Sequence, residues 1–334
     1  MATLNDIAAN LGLNKTTVSK ALNGSTDISA STRERVIAEA RKIGYVKVNR
    51  SKKQNARKQT VGIVCPEITS FYYASLVTEL TELLHSKGYK TIVMLSSFSA
   101  ESEKECLAEL ISLNVCGIVF VTEEGDIAPI IHSQSDVSDF PPLVVIGLNC
   151  TSREFDTVSV DEDYAIQLIT DYLISLGHRS FAFIGDNLVG KRLEYLRKRL
   201  ENKGIALRPD QIILSDKRNE ECGYECMNRL LGKKELPTAV VAGYDTIALG
   251  AIRALSEHGM SVPEQMSLVS FDDADFSRFL PLSITTVSYD AAAESKVAVA
   301  ILLSRIHDGN STFKQTAAII PKLIVRESTR SCDL

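Results

Sequence analysis

The chain has 334 residues, 45% of them hydrophobic and 24% charged, with a formal net charge of −5 and seven cysteines. That length supports two or three domains with real cores, and the composition excludes a disordered or low-complexity chain. No apolar run approaches the roughly 18 residues of a membrane span, so no membrane partner is expected, and the odd, scattered cysteines exclude a disulfide scaffold. The charge is uneven: residues 1–60 carry +8 and the remaining 274 carry −13. A basic head on an acidic body predicts that the head meets a polyanion and that this binding falls steeply with salt. Met1 is followed at once by a helical pattern, with no basic n-region and apolar h-region. No secretory leader is therefore expected, and a reducing cytoplasm is the expected setting.

In chain order, Leu4, Ile7, Ala8 and Leu11 form one apolar helical stripe. Thr3 and Asp6 have capping-box spacing before it. Gly12 permits a sharp turn, and Asn14 is a good N-cap for a second helix over about Lys15–Asn23. Val18, Ala21 and Leu22 face inward there, leaving Lys15, Thr16, Ser19 and Lys20 outward. Two short helices around a glycine turn predict a helix-turn-helix, whose second helix reads base edges in the major groove. Ser29 or Ser31 caps a third helix, with Val36, Ile37, Ala40 and Ile43 as its apolar face. Residues 46–60 form a linker with six Lys or Arg. Buried strands are then predicted at 61–65, 91–95, 117–121, 143–147, 181–185, 211–214, 239–243 and 267–271. Helices are predicted at about 72–86, 101–113, 163–176, 191–203, 221–231 and 246–258. Such alternation means parallel sheets with helices on both faces, and nearly 270 residues of it implies two sub-domains.

Catalytic and cofactor motifs are missing from this text. There is no G-x-G-x-x-G, G-x-x-x-x-G-K, G-x-S-x-G or H-E-x-x-H, so no dinucleotide, P-loop, serine-hydrolase or zincin site is supported. His85, His132, His178, His258 and His307 are dispersed, and Cys222 and Cys226 lack the further ligands of a zinc site. No metal, no cofactor and no enzyme activity are expected. His178, at a helix-to-strand corner, reads as a structural hydrogen-bonder.

TLNDIAANLG, TTVSKALNG, DIS, TRERV and IGY, spanning Thr3 to Tyr45, resemble the DNA-binding head of the lactose-repressor (LacI) family of bacterial transcriptional regulators. LGHRSFAFIG, LPTAVVAGYDTIALGAIRAL, VPEQMSLVSFDD, SITTVSYD and LIVRES resemble the periplasmic-binding-protein-like core of the same regulators. The resemblance implies a small all-α helix-turn-helix head over 1–45, a hinge over 46–60, and an α/β core over 61–330. That core would have two doubly wound parallel-sheet lobes, an N-lobe of about 61–160 and 290–320 and a C-lobe of about 161–289 and 321–330. It implies DNA contacts at Thr3, Lys15, Thr16, Thr17, Ser19, Lys20 and Asn23 of the head, and at Arg50, Lys52, Lys53 and Gln54 of the hinge. The family has arginine where Lys20 stands and a groove-wedging leucine where Gln54 stands, so a weaker guanine contact and a smaller bend are expected.

In the inter-lobe cleft the resemblance places Ser70, Tyr72, Tyr73, Ser97, Arg192, Tyr244, Asp272 and Tyr289 as effector contacts. Arg192 and Asp272 are the expected anchors, or else an inter-lobe ion pair. Gly147, Tyr244 and Tyr289 depart from the family's polar residues, so aromatic faces replace hydrogen bonds. The implied protein is a cytoplasmic, homodimeric repressor of a pseudo-palindromic double-stranded operator, modulated by a sugar, sugar derivative or nucleoside. No leucine heptad tail suggests a tetramer. A solute-binding protein would share the body but not the basic head. A sugar-modifying enzyme on the same core would need a catalytic constellation.

Overall fold

Thr3 opens the first helix as the spacing requires: its hydroxyl accepts from the Asp6 amide, and the Asp6 carboxylate accepts from the Thr3 amide at 2.7 Å. The computed structural model describes residues 3–22, 25, 27–43, 59–123, 127–133, 140–148, 154–308 and 313–332. These fall into two compact units, residues 1–56 and 57–334. The first holds α1 (Leu4–Leu11), α2 (Lys15–Leu22) and α3 (Ala30–Lys42). Gly12 ends α1 in the left-handed region at φ 62°, where a Cβ would be strained. Ile7, Val18 and Val36, one from each helix, are wholly buried together. Ser29, not Ser31, caps α3. Asn23 and the linker residues Arg50, Lys52, Lys53 and Gln54 lie outside the described residues, and the hinge expectation lies there with them.

The second unit contains two six-stranded sheets. The first runs β11-β5-β4-β3-β1-β2 and is parallel throughout. Its strands are β1 (Thr60–Cys65), β2 (Lys90–Leu95), β3 (Gly117–Thr122), β4 (Leu143–Leu148), β5 (Asp156–Val160) and β11 (Thr316–Ile319). The second sheet runs β12-β10-β9-β8-β6-β7. Its strands are β6 (Phe181–Asp186), β7 (Ile212–Ser215), β8 (Ala239–Ala242), β9 (Ser267–Phe271), β10 (Thr285–Ser288) and β12 (Lys322–Ile324). Here the parallel rule is broken once, because β12 enters from the first lobe and pairs antiparallel with β10. The chain passes between the sheets after Val160, after Ser288 and after Ile319.

Helices α4 (Phe71–Ser86), α5 (Ala100–Ser112), α6 (Ala128–His132) and α11 (Ala291–Asp308) belong to the first lobe. Helices α7 (Glu162–Ser175), α8 (Gly190–Asn202), α9 (Asn219–Leu231) and α10 (Asp245–Glu257) belong to the second. Most begin one or two residues before the expected starts. The strand expected at 211–214 begins one residue later, since Pro209–Gln211 form a 3-10 turn. Short or polar segments (β5, DTVSV; β10, TTVS; β11, TAAI) carry no strong apolar run, although Val158 and Val287 are wholly buried. His178 behaves structurally: Nδ1 lies 2.9 Å from the Thr238 hydroxyl and Nε2 3.1 Å from the Arg330 carbonyl. Cys222 and Cys226 are buried with Sγ atoms 3.9 Å apart, and no cluster among the described residues has the ligands to hold a metal ion. No described helix is long and apolar enough to cross a membrane.

Candidate functional sites in the head and the inter-lobe cleft

In the head, Asn14 starts α2, its Oδ1 accepting from the Thr17 amide and hydroxyl at 2.8 Å each. This fixes the rotation of the helix and presents Lys15, Thr16 and Lys20 to solvent, with Ser19 half-buried. Thr3 and Thr17 use their hydroxyls within their own caps. Lys15 and Thr16 have no side-chain partner among the described residues. Lys20 is not open in the same way: its Nζ lies 2.7 Å from the Asp27 Oδ2. That partner, seven residues on, has no signature in the sequence.

In the second unit, loops at the carboxyl ends of β1, β3, β6, β8 and β9 converge on a cavity of about 120 Å³ between the lobes. Ser70, Tyr72 and Tyr73 reach it from the start of α4, Arg192 from α8, Tyr244 from the start of α10, and Asp272 from the end of β9. Ser97 does not line it. Its backbone adopts φ 53° in an exposed turn, and the ring of the next residue, Phe98, faces the cavity instead. Tyr289 does not line it either. Only 1% exposed, it stacks on Phe271 at 6.2 Å and meets Tyr72 edge-on at 6.1 Å, forming a wall behind the site.

Expected anchors Arg192 and Asp272 do not share one role. Arg192 donates to Glu162 Oε1 at 2.7 Å and to the Gly243 carbonyl, with its guanidinium over Phe271 and Tyr289. The two form a buried ion pair between α7 and α8, inside one lobe, and both line the cavity. Asp272 makes no side-chain hydrogen bond among the described residues, though the Arg192 charge acts on it. It sits at φ 99°, followed by Asp273 at φ 54°, a left-handed turn that aspartate tolerates better than most residues. Asp245 sets that turn: one oxygen accepts from the Ala274 amide at 2.7 Å and the other from the Ser270 and Thr286 hydroxyls. Burial pushes the Asp272 carboxyl up to about 6, and burial beside Asp272 pushes Asp245 up to about 7.

The ion pair that does span the lobes was not singled out by the sequence. Arg218, following β7, donates to Glu67 at 2.9 Å in the other lobe, lies 3.3 Å from Asp186, and stacks over Phe98. Glu123, following β3, accepts from the Tyr73 hydroxyl, and burial raises its carboxyl. Glu123 stands immediately beyond a strand end and Arg218 three residues beyond one, where ligands of open α/β sheets bind, and that position was the available signal. Tyr244 donates to Asp186 at 2.6 Å, so its hydroxyl is committed within the second lobe.

At the edge of the cleft, Glu294 on α11 is 1% exposed and accepts from the Tyr72 hydroxyl at 2.9 Å. Burial pushes its carboxyl from 4.5 up to about 8. Between those pH values the folded chain keeps a proton that the unfolded chain has released. Its contribution is therefore intact below about pH 4.5 and lost as pH rises through about 8. Glu294→Gln is expected to flatten the decline in Tm over that window, and parallel Tm–pH curves for the two proteins would show that Glu294 is already ionised at its lower end.

Residues 3–47 match the family model described as bacterial regulatory proteins, lacI family, and residues 170–329 match a periplasmic binding protein-like domain. The HTH-type transcriptional repressor PurR of Haemophilus influenzae is 33% identical over 343 residues, covering 99% of each chain. A transcriptional regulator CelR–cellobiose complex superposes with a TM-score of 0.70 at 25% identity, covering 98% of this chain and 100% of that one. The lac repressor dimer bound to operator and the anti-inducer ONPF superposes with a TM-score of 0.73 at 23% identity, covering 98% and 99%.

Proposed function

Because the chain belongs to the LacI family of bacterial transcriptional regulators, we propose that it is a homodimeric repressor whose affinity for a pseudo-palindromic operator is set by a neutral, hydroxyl-rich effector in the inter-lobe cavity. A relative matching 99% of both chains is a repressor, which sets aside the solute-binding and enzyme readings. Two-fold symmetry of the protein, with one α2 per subunit, would be mirrored in the DNA site. The comparable CelR structure holds cellobiose.

One observation carries the choice of effector: each guanidinium of the cavity is already paired with a carboxylate, while the Asp272 carboxylate accepts no side-chain hydrogen bond among the described residues. Arg192 is held by Glu162, and Arg218 by Glu67 and Asp186. An anionic ligand would meet Glu123, Glu162 and Asp272 with only Lys191 uncommitted among the lining cations. A sugar, sugar derivative or nucleoside instead brings hydroxyl donors to Asp272 and an apolar face to the Tyr72, Tyr73 and Phe98 rings. Effector affinity that differs between open and closed lobes biases closure, and operator binding must then change effector affinity by the same factor.

The test is a thermal-shift panel of neutral sugars, nucleosides and sugar phosphates on wild type and Asp272→Asn. A neutral hit whose affinity falls roughly tenfold or more in the variant supports the assignment. Hits confined to phosphates, or binding equally to both proteins, would overturn it.

A further inference from the structure

The head has only four acidic residues in its first 60, and one of them is set against the recognition helix. Asp6 is spent on the α1 cap, and Glu39 accepts from Asn10 at 2.8 Å. Asp27 alone, among the described residues, pairs with a base of α2: Lys20 Nζ lies 2.7 Å from its Oδ2. The carboxylate is held in place without the Lys20 ammonium. Its second oxygen accepts from the Ser25 hydroxyl, the Ser25 carbonyl accepts from Arg33 of α3 at 2.7 Å, and the Ser25 amide donates to the Lys20 carbonyl at 3.1 Å.

We propose that Asp27 is a specificity-determining residue that pins the Lys20 ammonium toward the base edges and away from the phosphates. An ammonium has three donors; one goes to Asp27 and two remain for acceptors such as the O6 and N7 of guanine. A free lysine on its flexible stem finds a phosphate on any sequence and adds only non-specific affinity. Pinned by a carboxylate, Lys20 contributes little to a random duplex, because leaving Asp27 for a phosphate exchanges one anion for another. Both side chains are about half exposed, so the pair itself adds little to stability and its consequence falls on DNA choice.

This rests on α2 being the DNA-reading helix. If the full-length wild type enriches no sequence from a random duplex library, that premise fails, and the result is distinct from any below. With a duplex selected by wild type and a scrambled duplex of equal composition, Asp27→Asn is expected to tighten scrambled binding by roughly fivefold. The selected duplex should change less than twofold, so discrimination falls. The slope of log K against log salt on the scrambled duplex should steepen by about 0.9, one added phosphate contact. In a Lys20→Ala background, Asp27→Asn should change neither the discrimination nor the slope. Equal tightening on both duplexes, or the same tightening with Lys20 absent, would reduce Asp27 to a repulsive charge and overturn the proposal. Unaltered discrimination in Asp27→Asn would overturn it as well. Asp27→Glu, which keeps the charge, is expected to retain most of the discrimination, and a loss equal to that of the asparagine variant counts against pinning.

Discussion

Alanine at Gly250 is expected to cost the second lobe about 3 kcal/mol or more, beyond the usual overpacking penalty. A Cβ there would lie 1.9 Å from the Glu220 carbonyl oxygen, and one on Gly223 would lie 1.8 Å from the Ile247 carbonyl oxygen. Glycine from each of α9 and α10 thus lets the two backbones touch. The obstacle is main chain and cannot rotate away, so the helices must separate, and the better helix propensity of alanine recovers only about 1 kcal/mol. Arg218 stands at the N-terminus of α9, so separation also disturbs its bridge to Glu67. Chemical denaturation should show a lowered midpoint for Gly250→Ala. A variant that unfolds like wild type would mean that the helices separate without loss of core packing.

Comparable in size is the effect expected for Arg192→Leu. Glu162 is 3% exposed at its side chain and pairs with Arg192 at 2.7 Å. Removing one member of a buried pair leaves an uncompensated charge, at about 3–5 kcal/mol. The double variant Arg192→Leu with Glu162→Gln removes both charges and is expected to recover most of that loss, because replacing a whole buried pair is far cheaper than breaking it. If the double variant is no more stable than the single one, the stacking of the guanidinium on Phe271 and Tyr289 matters more than the charge.

How far the sequence reveals this molecule depends on which force fixes each part. The head was legible because local chemistry writes it: the Thr3–Asp6 box, Gly12 and Asn14 are caps and turns within a few residues of what they cap. The central strands were legible because burial on both faces demands unbroken apolar runs such as VGIVC and AVVAG. The strands around the lobe crossings were harder to read, since TTVS and DTVSV place hydroxyls beside valines. In the cleft, the family resemblance named Tyr72, Tyr73, Tyr244 and Asp272, and all four line one cavity. Partnership was not legible. Arg192 turned to Glu162 instead of Asp272, Tyr289 became a wall, and Arg218 joined the lobes, because each choice depends on distances between elements far apart in the chain. Lys20 and Asp27 show the same limit over only seven residues.

The three passages between the lobes have a consequence for the order of synthesis. The first lobe closes its sheet with β11 on β5 and covers it with α11, which packs on α4, β3, β4 and β5. Arg305 of α11 then clamps Asp156 at the start of β5 through two hydrogen bonds, at 2.7 and 2.8 Å. On a ribosome making about 5–20 residues per second, β5 waits on the order of ten to thirty seconds for its partners to emerge. Throughout that interval, the nascent first lobe exposes an apolar sheet face and an unpaired strand edge while all of the second lobe except β12 and the segment after it is made. The lobe that begins first is therefore left unfinished until almost all of the chain has been made, and for that interval it has the greater need of a chaperone.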